Sequence, residues 1–319
     1  MCGTEEFGLR FLDEDEKREL RSHLKEYLVE SGLATVEQIS RGQNFSCPEI
    51  APIVKWAGGK RQLLPTLKPM LPGCFNKYFE PFFGGGALFC SMAPNKAVIN
   101  DLNGQLITMY KQIRDNPSAI LGELHQIQFR YNALETMDEK DNLYYELREE
   151  YNRRISKRSE DVAALLIFLN KAGFNGLYRV NSMGRYNVPP AHRKQINAFD
   201  EKNVMAFSKI LKNSEIMCGD FEDACKDAKE GDFVFFDSPY YNTFDTYQAK
   251  GFSEEDHVRL RDLFRALTKR KIWCMLTNND CEQIKELYKG FNIRSIPVKR
   301  VISCNGKNRT GKEVIITNY

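Results

Sequence analysis

The stretch Asp237-Ser238-Pro239-Tyr240-Tyr241 sets a carboxylate, a backbone carbonyl and a flat aromatic ring within four positions. Proline fixes its own φ and holds the preceding residue extended, so the Ser238 carbonyl is aimed in one direction beside the Asp237 carboxylate. Two acceptors side by side, next to a ring, suit a planar group that carries an exocyclic NH2. Each acceptor takes one N–H while Tyr240 stacks on the ring face. An aromatic amine is a poor nucleophile because its lone pair is delocalised. Drawing on both hydrogens favours the pyramidal form that can attack an electrophile. The plainer reading is a buried strand running into a proline turn with a surface tyrosine, and four residues do not choose between the two.

Other segments carry chemistry of their own. In Ile53-Val54-Lys55-Trp56-Ala57-Gly58-Gly59-Lys60 the paired glycines let the backbone approach a ligand, and Lys60 can meet a carboxylate or phosphate. An ordinary turn into a helix is the rival. Tyr78-Phe79-Glu80-Pro81-Phe82-Phe83-Gly84-Gly85-Gly86 reads as a strand, a glycine turn and a helix start. A dinucleotide fingerprint needs a further glycine where Phe89 stands, so the turn suits a mononucleoside cofactor better than a pyrophosphate. Val98-Ile99-Asn100-Asp101 reads as the next strand; Asp101 is the candidate for ribose hydroxyls, with capping of the following helix as its rival role. Residues 170–189 are dense in Gly, Asn and Pro, as a loop or hairpin requires, and offer Phe174, Asn175, Arg179 and Asn187 for stacking and base-edge hydrogen bonds.

Charge is informative in its distribution. Net charge is only +3, with 42% hydrophobic and 28% charged residues, the balance of an ordinary globular chain. Two runs lack any acid: residues 171–194, with Lys171, Arg179, Arg185, Arg193 and Lys194, and residues 299–312, with Lys299, Arg300, Lys307, Arg309 and Lys312. Such runs are most often solvated surface, but two in one near-neutral chain suggest a polyanion footprint. Nine cysteines without a C-x-x-C pair argue for reduced thiols and against a zinc site. No apolar run approaches a membrane span and the first ten residues lack signal-peptide character, which gives a cytoplasmic location as the expectation.

In their order along residues 51–319, these segments resemble the Dam-type adenine methyltransferases, the D12 class or α group of DNA amino-methyltransferases. Asp237-Ser238-Pro239-Tyr240 is similar to that family's Asp-Pro-Pro-Tyr, with Ser238 in place of the first proline. The resemblance implies transfer of a methyl group from S-adenosyl-L-methionine to N6 of an adenine flipped out of double-stranded DNA, without a metal. It implies a catalytic role for Asp237, Ser238, Pro239 and Tyr240. Cofactor contacts fall to Trp56, Gly58, Lys60, Glu80, Phe83, Gly84, Gly86, Asp101, Asp220, Phe221 and Asp237. DNA contacts fall to Lys55, Phe174, Asn175, Arg179, Asn187 and Pro189, with Arg179 reading a guanine. The resemblance implies GATC or another GAT-containing site as the target, but the family's GATC readers have Gly-Glu-Phe-Asn-Val-Pro where this chain has Gly184-Arg185-Tyr186-Asn187-Val188-Pro189, a departure that leaves the exact target open. The setting implied is bacterial or phage, and a cognate restriction endonuclease is a candidate functional partner. Three alternatives stay open: cytosine-N4 methylation, methylation of RNA or a protein amide, and a silent DNA-binding paralogue. The aspartate at 237 favours adenine over cytosine.

The elements that must position these residues are those of an α/β fold. The apolar run from Phe233 to Phe236 reads as a core strand of a parallel sheet, whose carboxyl end is where such sheets bind ligands. The resemblance makes this a Rossmann-like S-adenosylmethionine-dependent methyltransferase sheet with a terminal antiparallel strand pair and a helical/hairpin target-recognition insertion. Residues 51–110 and 205–319 form the catalytic domain and residues 111–204 the insertion. Residues 1–50 are an acidic helical extension, with Asp13 capping a helix from Glu14. Residues 104–160 are helical, broken at Asn116-Pro117 and Thr136-Met137. Ser253 caps a helix with Asp256 three positions on, and a polar loop from Tyr241 to Phe252 could close over the site.

Overall fold

The computed structural model describes residues 50–241, 252–299 and 310–319. The expected helix from Glu14, the closing loop and most of the basic run at 299–312 lie outside these residues.

Strand β1, Tyr78–Glu80, is followed by helix α2, Ala87–Met92, a short α1, Leu64–Leu67, having preceded it. Strand β2, Ala97–Asn100, leads into α3, Gly104–Asp115. Pro117 then opens α4, Pro117–Ala133, at the break expected, because proline has no N–H to lose at a helix's first position. A complete capping box between Thr136 and Glu139 starts α5, Met137–Arg154, and α6 spans Glu160–Ala172. After α7, Glu201–Lys212, come β3, Ser214–Met217, the short α8, Phe221–Ala224, and β4, Phe233–Phe236. Ser253 and Asp256 form the expected box at the start of α9, Glu254–Lys269. Strand β5, Trp273–Asn279, α10, Glu282–Leu287, β6, Asn292–Lys299, and β7, Thr310–Thr317, complete the chain.

The strands form one sheet in the order β3-β2-β1-β4-β5-β7-β6, parallel except for β7, which runs antiparallel between β5 and β6. This is the Rossmann-like methyltransferase sheet expected. The pleat alternates the sheet's residues between two cores. Phe233, Phe235 and Met275 join the core of α2 to α7, while Val234, Phe236, Cys274 and Leu276 join that of α8 to α10. With both its faces covered, the central β4 is apolar throughout, and periodicity alone could not have sorted its faces.

Position 110, the expected end of the first catalytic segment, lies inside α3, and the insertion shares the sheet's core. Helix α6 is buried over nearly its whole length, from Val162 to Asn170, because α3, α4 and α5 surround it. Beyond α6 the chain forms a hairpin closed by antiparallel bridges Val180–Tyr186 and Gly173–Pro190. Asn152 of α5 pins it by giving its amide to the Tyr186 carbonyl at 3.0 Å and taking the Tyr186 N–H at 2.7 Å.

The β1–α2 turn depends on two left-handed glycines. Gly84, at φ 48°, lies under Trp56, and Gly86, at φ 63°, lies against Phe83. A Cβ on Gly86 would overlap the Phe83 ring, which is itself packed edge-on against Phe89 and Tyr110. Gly86→Ala therefore combines backbone strain with overpacking, and we expect a loss of roughly 2–4 kcal/mol in chemical unfolding, whereas Gly122→Ala on α4, with open space around it, should cost nothing.

Candidate active site

Parallel packing gathers the carboxyl ends of β1, β2, β4 and β5, and each ends in polar residues: Glu80, Asn100-Asp101, Asp237-Ser238 and Thr277-Asn278-Asn279. Asp237 is the centre of the group. Its Oδ1 accepts a hydrogen bond from the Thr277 hydroxyl at 2.9 Å and forms an ion pair with Lys60. Lys60, only 5% exposed, also donates to the Gly58 carbonyl at 2.7 Å and lies 4.8 Å from the centre of the Tyr240 ring. Burial pushes the Asp237 carboxyl up from its ordinary value, against the opposing pull of Lys60 and Thr277.

A second carboxylate stands nearby. Glu80, 3% exposed, accepts from the Tyr78 hydroxyl at 2.8 Å. Burial raises its carboxyl well above the usual range; the Tyr78 hydrogen bond opposes this and the charge of Asp237 adds to it. Two carboxyls and one ammonium share the site, and the ammonium sits on Asp237, which holds the charge there.

The turn after Asp237 is clamped from β5. Asn278 donates to the Ser238 hydroxyl at 3.4 Å and accepts the Tyr241 N–H at 3.0 Å, while the Asn279 amide meets the Tyr241 carbonyl at 2.7 Å. Ser238 is buried, and its carbonyl accepts no hydrogen bond from the described residues. Tyr240 donates its hydroxyl to Glu313 on β7 at 2.8 Å. Burial, with Asp237 and Glu313 adding to it, keeps that phenol protonated far above its ordinary range.

The residues expected around a cofactor line the neighbouring strand ends. Asp101 accepts from the backbone N–H of Gly84 at 2.9 Å and of Asn103 at 2.8 Å. It does not cap α3: Asn103 does, taking the N–H groups of Gln105 and Leu106. Asp101 instead ties the glycine turn to the end of β2. Asn100 bonds the Pro81 and Gly219 carbonyls through its amide nitrogen, and its buried Oδ1 has no partner among the described residues. Trp56 is stacked on Tyr178 with centroids 5.1 Å apart. Phe83 is wholly buried in the core. Phe221 packs between Phe82, stacked at 5.3 Å, and the guanidinium of Arg259, which also pairs with Asp220. Asp220 caps α8.

The residues expected to meet DNA, Lys55 apart, share the hairpin. Phe174 is half-exposed, and Asn175 follows it in a left-handed conformation, φ 55°. Arg179 donates through Nε to the Asn187 side chain at 2.8 Å and through a terminal nitrogen to the Asn187 carbonyl at 3.2 Å, so these two act as a pair across the hairpin. Pro189 accepts the Phe174 N–H at 2.9 Å. Asn170, which sequence reasoning missed, joins this loop to the first segment: it exchanges bonds with the backbone of Lys55 and donates to the Gly176 carbonyl. Lys55, Lys171 and Arg193 line a cleft of about 180 Å³ without an acid. Burial, then Lys55 and Arg61, push the Lys171 ammonium down from its ordinary value.

Residues 56–302 match the family of D12 class N6 adenine-specific DNA methyltransferases. The chain belongs to this family. It is 43% identical over 281 residues to a type II methyltransferase of Lactococcus lactis subsp. cremoris, covering 85% of this chain and 96% of that one. A type II methyltransferase of Methanocaldococcus jannaschii is 37% identical over 289 residues, 85% and 100% of the two chains. The DNA adenine methylase of Escherichia coli is 29% identical over 276 residues, 83% and 94% of the two. The protein is thus an adenine-specific DNA methyltransferase, and the cytosine alternative falls away.

What sequence reasoning missed in this methyltransferase are partners contributed from afar: Thr277 and Asn278 on Asp237-Ser238, Glu313 on Tyr240, and Asn170 under Lys55. Only the polar run Thr277-Asn278-Asn279 at a strand end gave a signal. The Lys60 pairing has a pH consequence. Asp237 must be ionised to accept from an amine, so activity falls as pH drops through its raised pKa, above the usual aspartate range. Lys60 opposes that rise in the free enzyme, so in Lys60→Met the acid limb of kcat/KM moves to higher pH. A limb that stays put, or moves down, contradicts the coupling.

Proposed function

We propose that the methyltransferase transfers the methyl group of S-adenosyl-L-methionine to N6 of an adenine extruded from duplex DNA, with Asp237 and the Ser238 carbonyl gripping the amine. The observation that carries this is the pair of acceptors at the end of β4: a carboxylate paired with Lys60, and the carbonyl of the buried Ser238, which has no donor among the described residues, beside the Tyr240 ring. An exocyclic NH2 has two hydrogens for two such acceptors. N6 is unreachable inside the base stack, so the adenine has to leave it.

The residues fit the donor. The Asn100 Oδ1, without a partner among the described residues, offers a buried acceptor, the turn at Gly84 and Gly86 leaves backbone bare of side chains, and Lys60 and Glu80 bring a cation and an acid to the same strand ends. When bound, S-adenosyl-L-methionine supplies an electrophilic methyl on a sulfonium. Trp56, Gly58, Lys60, Glu80, Phe83, Asp101, Asp220 and Phe221 are the residues that would hold it. Lys60 would have to exchange Asp237 for a donor carboxylate, leaving Asp237 to the base. Asp237 and the Ser238 carbonyl would hold N6 toward that methyl group, and Asp237 would take an N6 proton as the methyl passes from sulfur to nitrogen and the donor is left as its thioether. Positioning and electrostatics do most of the work.

The hairpin and the basic cleft complete the assignment. Residues 111–204 act as the target-recognition insertion: Phe174 and Asn175 lie by the extruded base's place, Arg179, held by Asn187, reads a guanine, and Lys55, Lys171 and Arg193 take phosphates. A guanine read by Arg179 is compatible with a GAT-containing target, GATC included, and the likeness to type II methyltransferases supports a cognate restriction endonuclease as a candidate functional partner.

Incubation with labelled S-adenosyl-L-methionine and unmethylated duplex DNA should yield label in N6-methyladenine. Donor binding without label in DNA would overturn the reading in favour of an RNA or protein substrate, or of a silent binder. Asp237→Ala should keep donor affinity within a modest factor and lower kcat by about 10³-fold or more; full activity would sink the mechanism. Ser238→Pro should stay active, since it loses only the long Asn278 contact and keeps the carbonyl.

A further inference from the structure

Among the described residues two side chains tie Asp237, and both reach the same oxygen. Lys60 pairs with Oδ1, and the Thr277 hydroxyl donates to Oδ1 at 2.9 Å. Neither tie uses Oδ2. The two donors are held differently. Lys60 carries its charge on a flexible four-carbon stem. Thr277 is short, β-branched and fully buried on β5, which lies between β4 and β7. Parallel pairing sets Phe236 opposite Leu276, so Asp237 and Thr277 each stand one position further on and meet side by side. On the other side the Thr277 backbone is opposite Ile315 of β7. The hydroxyl therefore sits on a rigid base, whereas the ammonium can move.

We propose that Thr277 is a positioning residue for methyl transfer: it keeps Oδ1 of Asp237 pinned to β5 after Lys60 has turned to the donor, so that Oδ2 stays aimed at N6. This deepens the proposed reaction and rests on Asp237 being the acceptor for the amine. The torsion that turns a carboxylate is broad, so a lost tie lets the group rotate and present an oxygen to N6 less often. A misplacement of that kind costs turnover more than donor binding. Thr277 touches neither base nor donor in this account. The titratable groups facing Asp237 are Lys60, Glu80, Tyr78 and Tyr240. Burial raises the Asp237 carboxyl, and Lys60, then Thr277, pull it back.

The test is a set of Thr277 variants assayed on duplex DNA over a range of pH. Thr277→Val keeps the branched shape without the hydroxyl and should lower kcat about tenfold, the loss expected of one hydrogen bond to a charged group, with the KM for donor unchanged. It should also move the acid limb of kcat to higher pH, because kcat reports the bound complex and the hydroxyl favours the ionised carboxyl that the reaction needs. Thr277→Ser keeps a hydroxyl and should restore most of both. Thr277→Ala also lacks the hydroxyl and stands in for the valine variant should that one fail to bind donor. Thr277 neighbours the Tyr240 hydroxyl as well, so the valine change is repeated in Tyr240→Phe. A comparable loss there is expected; no further loss would route the effect through Tyr240 and overturn the inference. A loss of turnover with the acid limb unmoved overturns it too. If Asp237→Ala is inactive while Thr277→Val turns over normally, the inference falls alone and the acceptor role of Asp237 stands. If Asp237→Ala is fully active, that role falls, and the inference with it.

Discussion

An ionised carboxylate at the end of a buried strand is costly, because the effective penalty for taking an ion out of water is of the order of several kcal/mol. Asp237 is in that position, and the site is built around meeting the cost. Lys60 supplies the opposite charge and Thr277 a hydrogen bond. Glu80, close by and without a cation of its own, is pushed well up by burial and takes a phenolic hydrogen bond from Tyr78. The two acids are thereby separated in behaviour: one held charged and able to accept from an amine, the other held back. Removing Lys60 would leave the charge on Asp237 uncompensated, so the ion pair constrains the site before any ligand arrives.

The sheet makes this arrangement possible. Parallel strands bring their carboxyl ends to one edge, so residues from four strands converge without the chain having to turn on itself. The antiparallel β7 then places Glu313 across from the catalytic turn. The insertion does not stand apart: α6 is buried between the other helices, and Asn170 near its end holds the Lys55 backbone against Gly176. The loops proposed to meet cofactor and DNA are therefore mechanically joined through one buried amide.

Local signals in the sequence were dependable where the physics is local. The apolar run before Asp237, the proline at 117, the break at Thr136 and the capping box at Ser253 concern neighbours within four positions, and the structure follows them. Asp101 shows the limit: an acid before a helix looked able to cap it, yet Asn103, two residues on, has the better geometry, and Asp101 turned to the glycine loop. The place of β7 between β5 and β6, the pairing of Lys60 with Asp237 across 177 positions and the reach of Glu313 to Tyr240 depend on the folded sheet. No pattern along the chain encodes them, and a strand buried on both faces gives no alternation from which to deduce them.

The most direct measurement is the structure of the methyltransferase with duplex DNA containing its target and an unreactive analogue of S-adenosyl-L-methionine. The account predicts an adenine outside the helix, its N6 within hydrogen-bond distance of both the Asp237 carboxylate and the Ser238 carbonyl, and Lys60 moved off Asp237. An extruded base whose N6 points elsewhere, or Lys60 still paired with Asp237 beside a bound adenine, would contradict it.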